Sequence, residues 1–225
     1  MNYDFYSMWA TPILTTIDEK HIEIKNKAIE QALTYYKPNH VYVAETIKNN
    51  LYESEFDFFD IAEKERYEEL VYIKHKIEST FKHIFIDYFK SKHYPFTQHD
   101  LDDVVETDID IETHESWVHI SDGISSYHGT HNHPNSSWSA IYCLEQADVN
   151  DDNGGIIQFN APFDNMYTDN GLFFQSGTNV LSIEPKDGAM FFFPSNIKHS
   201  ATPYTGDRTR IIISVNMKIN IIGVN

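Results

Sequence analysis

The sequence predicts an α+β protein with a helical N-terminal half and a C-terminal half built of short β-strands. Apolar residues recur every three or four positions in the first half, as on one face of a helix. From about residue 108 they recur at every second position, as on one face of a strand. The hydrophobic content of 41% and the aromatic content of 14% indicate a packed core rather than a disordered chain.

We expect one domain over residues 1–225, in which a mainly helical cover over 1–107 packs on a β core over 108–220. No repeat, low-complexity tract or long linker separates the two halves. A helical layer on one face of a β core is therefore the expected arrangement.

Two helices are predicted in the first half. The first covers residues 21–36 and is ended by Lys37, Pro38 and Asn39. The second covers about 61–91, where a steady apolar stripe predicts packing along a large apolar surface. The stripe consists of Leu70, Ile73, Ile77, Phe81, Ile84 and Tyr88.

The second half contains many short apolar or alternating runs separated by turn clusters. These runs cover residues 108–112, 117–120, 137–144, 155–159, 179–183, 189–193 and 210–219. Short strands at this spacing predict a β-sandwich or a β-barrel.

Composition excludes several classes of partner and environment. The 34 acidic residues against 17 basic ones give a net charge of −17, which disfavours nucleic acid and anionic membranes. The single cysteine, Cys143, excludes an internal disulfide framework and indicates a cytoplasmic location. No targeting segment or membrane span is visible, and the sequence leaves a homodimer open.

Candidate metal ligands lie in a histidine-rich segment. His131 and His133 are two positions apart, so on a strand both imidazoles would project from one face and could bind one metal ion. The alternative is a polar loop whose histidines face water. His199 could supply a third ligand, although a lone histidine after an apolar strand is more often structural.

Arg210 begins a strongly alternating strand and shares one face of it with Ile212, Ser214 and Asn216. A guanidinium directed into a sandwich interior is costly unless an anionic group meets it. Arg210 could therefore bind an anionic ligand. The alternative is an arginine at a strand end that reaches solvent or pairs with Asp207.

Together, these residues resemble the Fe(II)- and 2-oxoglutarate-dependent oxygenases. That family carries H-x-D/E, a distal histidine, and a basic residue about ten positions later. The resemblance is greatest to phage and bacterial members of its prolyl-hydroxylase-like branch and covers about 117–216. It is carried by residues 131–136, 139–142, 188–195, 199–200 and 210–211.

The resemblance implies a double-stranded β-helix (a cupin-like jelly roll) with N-terminal helices packed on one sheet, and it implies Fe(II), 2-oxoglutarate and O₂. His131 and His199 match the metal histidines, and Arg210 matches the cation that binds the distal carboxylate of 2-oxoglutarate. His133 stands where most of the superfamily has Asp or Glu. This departure implies either three histidine ligands or a carboxylate from elsewhere, such as Asp148.

Position 212 is Ile, whereas many relatives have a residue with a side-chain hydroxyl there. Another residue should therefore donate the hydrogen bond to the co-substrate. Tyr142 is the first candidate, followed by Ser139 and Asn216, and each could equally be an ordinary core residue. Trp138, Phe159 and Phe192 are expected to line a dry cavity.

The resemblance implies that the protein is a non-haem dioxygenase. Such an enzyme would hydroxylate an unactivated C–H, either of a peptide or protein side chain or of a small molecule. Two alternatives stay open. One is a catalytically silent jelly roll that acts as a binding or virion-associated module, with a structural or vestigial metal site. The other is a cupin-type metal dioxygenase that acts without 2-oxoglutarate.

Overall fold

The computed structural model describes residues 11–36, 48–49, 51–90, 109–123, 125–162 and 179–221. Its first half contains β1 (Leu14–Ile17), α1 (His21–Leu33), β2 (Lys48–Asn49), β3 (Leu51–Glu53), α2 (Phe58–Lys64) and α3 (Glu68–Lys90). Its second half contains β4 (Ile109–Ser121), β5 (Tyr127–His128), β6 (Trp138–Glu145), β7 (Ile157–Asn160), β8 (Val180–Ile183), β9 (Ala189–Pro194), β10 (His199–Ala201) and β11 (Arg210–Ile221).

The strands form two facing antiparallel sheets. The larger sheet has six strands in the order β1-β9-β6-β11-β4-β3, and the smaller has three in the order β10-β7-β8. Strands β2 and β5 form a separate two-residue pair. Apolar side chains between the sheets form one core, to which Ile141, Phe159 and Phe193 belong. The observed architecture is the predicted sandwich.

The helices cover the outer face of the larger sheet. Leu70, Ile73, Ile77 and Phe81 of α3 are fully buried, as the apolar stripe predicts. The Phe81 ring stacks on Phe192 with centroids 5.4 Å apart. Helices and sheet share one continuous apolar cluster, which confirms the predicted helical layer.

The predicted second helix is interrupted. Helix α2 ends at Lys64 and α3 begins at Glu68, because Arg66 has a φ of +58°, which a right-handed helix cannot contain. The first helix ends at Leu33, and the turn expected at Lys37 to Asn39 lies outside the described residues.

The runs at 108–112 and 117–120 belong to one strand, β4. The bounds of the other predicted strands agree with the structure to within two residues. Strands β1, β2, β3, β5 and β10 were not predicted, since two to four residues are too short to show a period. None of the described helices is long and apolar enough to cross a membrane. One domain over 1–225 stays a prediction.

The alternation along β11 is confirmed. Ile211, Ile213, Val215 and Met217 lie in the apolar cluster beneath the helices, whereas Ile212 lies in the core between the sheets. Phe159 also lies between the sheets. Trp138 and Phe192 do not: both belong to the cluster under the helices, so the expectation that they line the cavity is wrong.

Candidate active site

Three histidines meet at the edge of the space between the sheets. His131 and His199 exchange two backbone hydrogen bonds, of 3.0 and 2.9 Å, and the His133 amide donates to the Ser195 carbonyl at 2.9 Å. His131 forms only an isolated bridge and His133 lies outside any strand. The H-x-H segment is therefore not the strand that the sequence suggested. Its backbone bonds to β10 and to the turn after β9 hold the imidazoles together.

Backbone carbonyls orient two of the rings. The Nδ1–H of His131 donates to the Gly129 carbonyl at 2.8 Å, and the Nδ1–H of His199 donates to the Ile197 carbonyl at 3.1 Å. Since a carbonyl only accepts, both rings carry hydrogen on Nδ1 and present the Nε2 lone pair to the cluster.

The donor set fits a divalent transition metal. One ligand nitrogen from each of His131, His133 and His199 lies within 4.8 Å of the others. The Nε2 atoms of His133 and His199 are 3.2 Å apart. Metal–nitrogen bonds of about 2.1 Å at right angles would separate two ligand nitrogens by about 3 Å, so little movement is needed to bind an ion.

Burial keeps the imidazoles of His133 and His199 neutral. Burial, together with the nearby His131 and His119, lowers the pKa of His133 to about 3. Burial also lowers the pKa of His199 well below its ordinary value, with His131 and His133 adding to the effect. Neutral imidazole is the form that binds a metal. The metal-free site therefore stays ready for an ion at pH values where an exposed histidine would be charged.

This burial predicts a pH-dependent stability. In the unfolded chain His133 titrates near 6.5, whereas in the folded protein its pKa is about 3. As the pH falls below 6.5, His133 takes up a proton in the unfolded state but not in the folded state. The contribution of neutral His133 to the free energy of unfolding is therefore fully present above pH 6.5 and is lost progressively towards pH 3. Each such histidine contributes a slope of about 1.4 kcal/mol per pH unit.

We expect His133→Gln to leave the pH dependence above 6.5 unchanged and to reduce the slope by about 1.4 kcal/mol per unit below about pH 5.5, measured by urea unfolding of the metal-free protein at several pH values between 7.5 and 4.5. The exposed His75 on α3 provides the matched control, and His75→Gln should keep the wild-type slope. Equal slopes in the wild type and His133→Gln would contradict a buried neutral His133.

Arg210 lies at the other end of the space between the sheets. Its side chain is buried, its Nε donates to Gln146 Oε1 at 3.1 Å, and its Nη2 is buried without a hydrogen-bond partner. No carboxylate among the described residues forms an ion pair with it. Burial lowers the pKa of Arg210 to about 10, so the group is charged at neutral pH. Neither solvent nor Asp207 satisfies this guanidinium, which excludes the alternative left open by the sequence.

The loop before β7 packs closely on this guanidinium. Gly155 has a φ of +81°, and a Cβ there would lie 2.7 Å from Val149 Cγ2 and 3.4 Å from Arg210 Nε. Glycine allows both the backbone conformation and the close approach. The Gly154-Gly155 pair thus belongs to a turn that encloses Arg210 rather than to a phosphate loop.

One cavity, partly open to solvent, is lined both by His131 and His199 of the cluster and by Arg210. Its apolar wall includes Ile141, Ile157 and Ile212. Its polar wall includes Ser126 and Ser214, and the buried Ser126 hydroxyl has no hydrogen-bond partner. A small anion bound to Arg210 would therefore face the histidines across the same cavity.

Tyr142 is not part of this cavity, and the prediction that it binds the co-substrate is wrong. It is fully buried on the helix-facing side of β6, where its hydroxyl donates to Asp18 Oδ2 and lies 3.0 Å from His21 Nδ1. Residues 141 and 143 face the other sheet, and alternation places residue 142 on the opposite face.

Ser139 and Asn216 also stay apart from Arg210. The Ser139 hydroxyl is 2.8 Å from Ser195 Oγ and donates to Asn216 Oδ1 at 3.0 Å. Asn216 Nδ2 donates to Glu115 Oε2 at 2.8 Å. Neither residue lines the cavity, so the structure does not support their predicted contact with the co-substrate.

Asp148 and Cys143 lie outside the site. The Asp148 carboxylate accepts hydrogen bonds from the Tyr204 hydroxyl and the Asp207 amide, and it does not join the histidines. Cys143 is buried in the core, and burial raises the pKa of its thiol to about 12, so it is an inert core residue as expected.

The sequence missed several residues in or beside the cavity. Ser214 shares the inner face of β11 with Arg210, but the alternation alone does not show that it lines the cavity. Ser126 belongs to no alternating or helical pattern in the sequence. Glu53, His119 and His128 converge from three strands, so only the tertiary structure brings them together.

The fold is a two-sheet jelly roll with helices packed on one sheet, and its cavity is lined by histidines and a buried arginine. Residues 115–216, just under half of the chain, match the family described as "Putative 2OG-Fe(II) oxygenase". This match confirms the resemblance, and that family uses Fe(II), 2-oxoglutarate and O₂, as predicted. The narrower likeness to phage members stays a prediction.

Solved structures share the fold of this chain. The chain is similar to a prolyl hydroxylase from Trichoplax adhaerens in complex with a hypoxia inducible factor peptide, with 15% identity, a TM-score of 0.51, and coverage of 91% of this chain and 83% of that one. It is also similar to an oxidoreductase of the 2OG-Fe(II) oxygenase family from Burkholderia pseudomallei, with 10% identity, a TM-score of 0.52, and coverage of 93% and 87%. Comparison with the curated proteins gave no match. At these identities the structures show the shared fold, which confirms the double-stranded β-helix.

Proposed function

We propose that this protein is an Fe(II)- and 2-oxoglutarate-dependent dioxygenase that hydroxylates an unactivated C–H of a peptide or protein side chain. The observation that carries the proposal is the buried Nη2 of Arg210, which has no partner among the described residues and lies on the same cavity as His131 and His199 of the three-histidine cluster. A dicarboxylate can meet a cation at one end and a metal ion at the other.

Each residue has a defined task in this proposal. His131, His133 and His199 would hold Fe(II) through ring nitrogens, and the Gly129 and Ile197 carbonyls orient two of the rings. When bound, Fe(II) and 2-oxoglutarate activate O₂ for hydroxylation, and the co-substrate is converted to succinate and CO₂.

Arg210 would bind the distal carboxylate of 2-oxoglutarate through Nη2, with the Ser126 and Ser214 hydroxyls on the same cavity wall. The isoleucines of the apolar wall reduce the access of water to the reacting centre.

A peptide or protein substrate is favoured over the alternatives. The Trichoplax adhaerens prolyl hydroxylase is bound to a peptide fragment, and it shares the fold over most of both chains. The net charge of −17 opposes binding to nucleic acid. A cytoplasmic location is proposed on the single, buried Cys143 alone.

The function is tested by turnover without the primary substrate. We expect the full-length protein with Fe(II) and O₂ to convert 2-oxoglutarate slowly to succinate, with one oxygen atom from ¹⁸O₂ in the succinate, measured by mass spectrometry. The reaction should stop when Fe(II) is omitted. If no succinate forms at any concentration of Fe(II) and 2-oxoglutarate, the catalytically silent jelly roll is favoured. If O₂ is consumed independently of 2-oxoglutarate, a cupin-type dioxygenase is favoured.

A further inference from the structure

We propose that Glu53, His119 and His128 form a second divalent-metal site beside the three-histidine cluster. One ligand atom from each residue lies within 4.8 Å of the other two. Two imidazoles and one carboxylate suit borderline divalent ions such as Fe(II), Mn(II) and Zn(II). This set contains the carboxylate that the first cluster lacks.

Strand pairing brings these residues together. Glu53 at the end of β3 is directly opposite His119 of β4, so their side chains are neighbours on one face of the sheet. His128 comes from β5, and its ring meets the edge of the His119 ring with centroids 5.3 Å apart. Three separate strands thus direct donor atoms to one point.

The charge of Glu53 favours a cation here. Its side chain is 3% exposed, and a carboxylate this deeply buried requires a positive partner. Glu53 Oε2 lies 2.6 Å from His119 Nε2. Either a proton or a metal ion can lie between these two atoms.

A second contact at the same nitrogen argues against the proton. The Trp117 indole N–H also points at His119 Nε2, at 3.1 Å. An indole N–H can only donate, so it needs a lone pair on Nε2, whereas an ionised Glu53 carboxylate needs a hydrogen there. One nitrogen cannot present both. A metal ion bound to the lone pair and to Glu53 removes the conflict, and we expect the indole N–H then to donate to a carboxylate oxygen.

The second cluster adjoins the first. The His128 ring stacks on the His131 ring with centroids 3.8 Å apart and planes 18° apart. Both clusters contribute to the wall of the same cavity, through His119 and His128 on one side and His131 and His199 on the other. Ions therefore have one common entrance to both sites.

The experiment counts metal ions instead of measuring turnover, so it does not depend on the proposed activity. Metal-stripped full-length protein is titrated with Mn(II) by equilibrium dialysis, and the loaded protein is examined by electron paramagnetic resonance. We expect two bound equivalents and a spin-coupled signal, because neighbouring Mn(II) ions interact magnetically. Glu53→Gln should bind one equivalent and give an uncoupled signal.

Matched variants assign the two sites. Glu55→Gln, at an exposed position two residues further on, should still bind two equivalents. His199→Ala should bind one, at the Glu53 cluster. Circular dichroism checks folding, and if Glu53→Gln does not fold, His128→Asn on the two-residue strand β5 provides the same test.

One result would overturn the proposed site, and another would overturn the three-histidine site beside it. One equivalent in both the wild type and Glu53→Gln would identify Glu53 and His119 as a buried ion pair. A single equivalent that Glu53→Gln loses and His199→Ala keeps would place the only ion at the Glu53 cluster. That second result would also remove the metal ligands assigned under the proposed function, whereas the first would leave them intact.

Discussion

Replacing Arg210 by alanine is expected to weaken 2-oxoglutarate binding by roughly 30-fold to several thousand-fold. Removal of one partner of a buried, hydrogen-bonded charge pair costs about 2 to 5 kcal/mol, and each 1.4 kcal/mol is about tenfold in affinity. The affinity for the metal should change little, since the imidazoles stay in place. Isothermal titration of Mn(II)-loaded protein with 2-oxoglutarate measures the difference.

The free protein should tolerate this substitution. Arg210 Nη2 is buried without a partner, so the unliganded protein bears the cost of a desolvated charge. Only Gln146 loses a hydrogen bond in Arg210→Ala. We therefore expect the free energy of unfolding of the metal-free protein to fall by no more than about 1 kcal/mol.

Two other variants define the role of Arg210. Arg210→Lys keeps the charge but loses the planar fork, and should bind 2-oxoglutarate with intermediate affinity. Arg208→Ala removes an exposed guanidinium that pairs with Glu145, and should bind 2-oxoglutarate like the wild type. Unchanged affinity in Arg210→Ala would remove Arg210 from the site.

The placement of Arg210 could be predicted from the sequence because β11 alternates clearly. Its helix-facing positions are uniformly large and apolar, whereas the inner face carries Arg210, Ser214 and Asn216. A period of two is a local property of the chain, so no tertiary information was needed. Selecting Ser214 over Asn216 as a cavity residue required the structure, because the sequence does not show how far along the strand the cavity extends.

The face of Tyr142 could not be predicted in the same way. Strand β6 is central in its sheet, and Trp138 to Leu144 are buried on both of its faces. A strand covered on both sides reads as a continuous apolar run, and such a run does not indicate which residues face which layer. The phenol of Tyr142 therefore looked equally suited to the cavity and to the helix side.

The histidine cluster illustrates a different limit. The residue types and their order pointed to His131, His133 and His199, but the predicted strand geometry was wrong. The rings converge because backbone bonds hold the H-x-H segment to β10 and to Ser195, which lie 68 and 62 residues away in sequence. Glu53, His119 and His128 could not be predicted for the same reason, because they come from separate segments of the chain that only the tertiary structure brings together.

Replacing His199 by alanine is expected to abolish metal binding at the three-histidine cluster and to lower succinate formation by more than about 100-fold. Substitution of residues that only orient metal ligands already costs about 10 to 100-fold, and loss of a ligand should exceed that. His199 is the buried member of the set, and its Nε2 lies 3.2 Å from that of His133. Mass spectrometry of succinate and metal analysis of the purified variant check both effects.

The fold should survive this substitution. The backbone bonds between residues 131 and 199 do not involve the imidazole, and apolar rings such as Phe193 and Phe159 surround it. His75→Ala on the exposed face of α3 is the matched control and should keep full metal binding and turnover.

His133→Asp separates the loss of a ligand from a change of ligand. Carboxylate is the usual ligand at this position in the superfamily that the chain resembles, so this variant should keep metal at the three-histidine cluster, which His199→Ala should lose. It also adds a negative charge beside the ion, which should favour the bare metal and weaken the dianionic 2-oxoglutarate relative to the wild type. Full iron occupancy and succinate formation in His199→Ala would show that the three-histidine assignment is wrong, whatever the behaviour of His133→Asp.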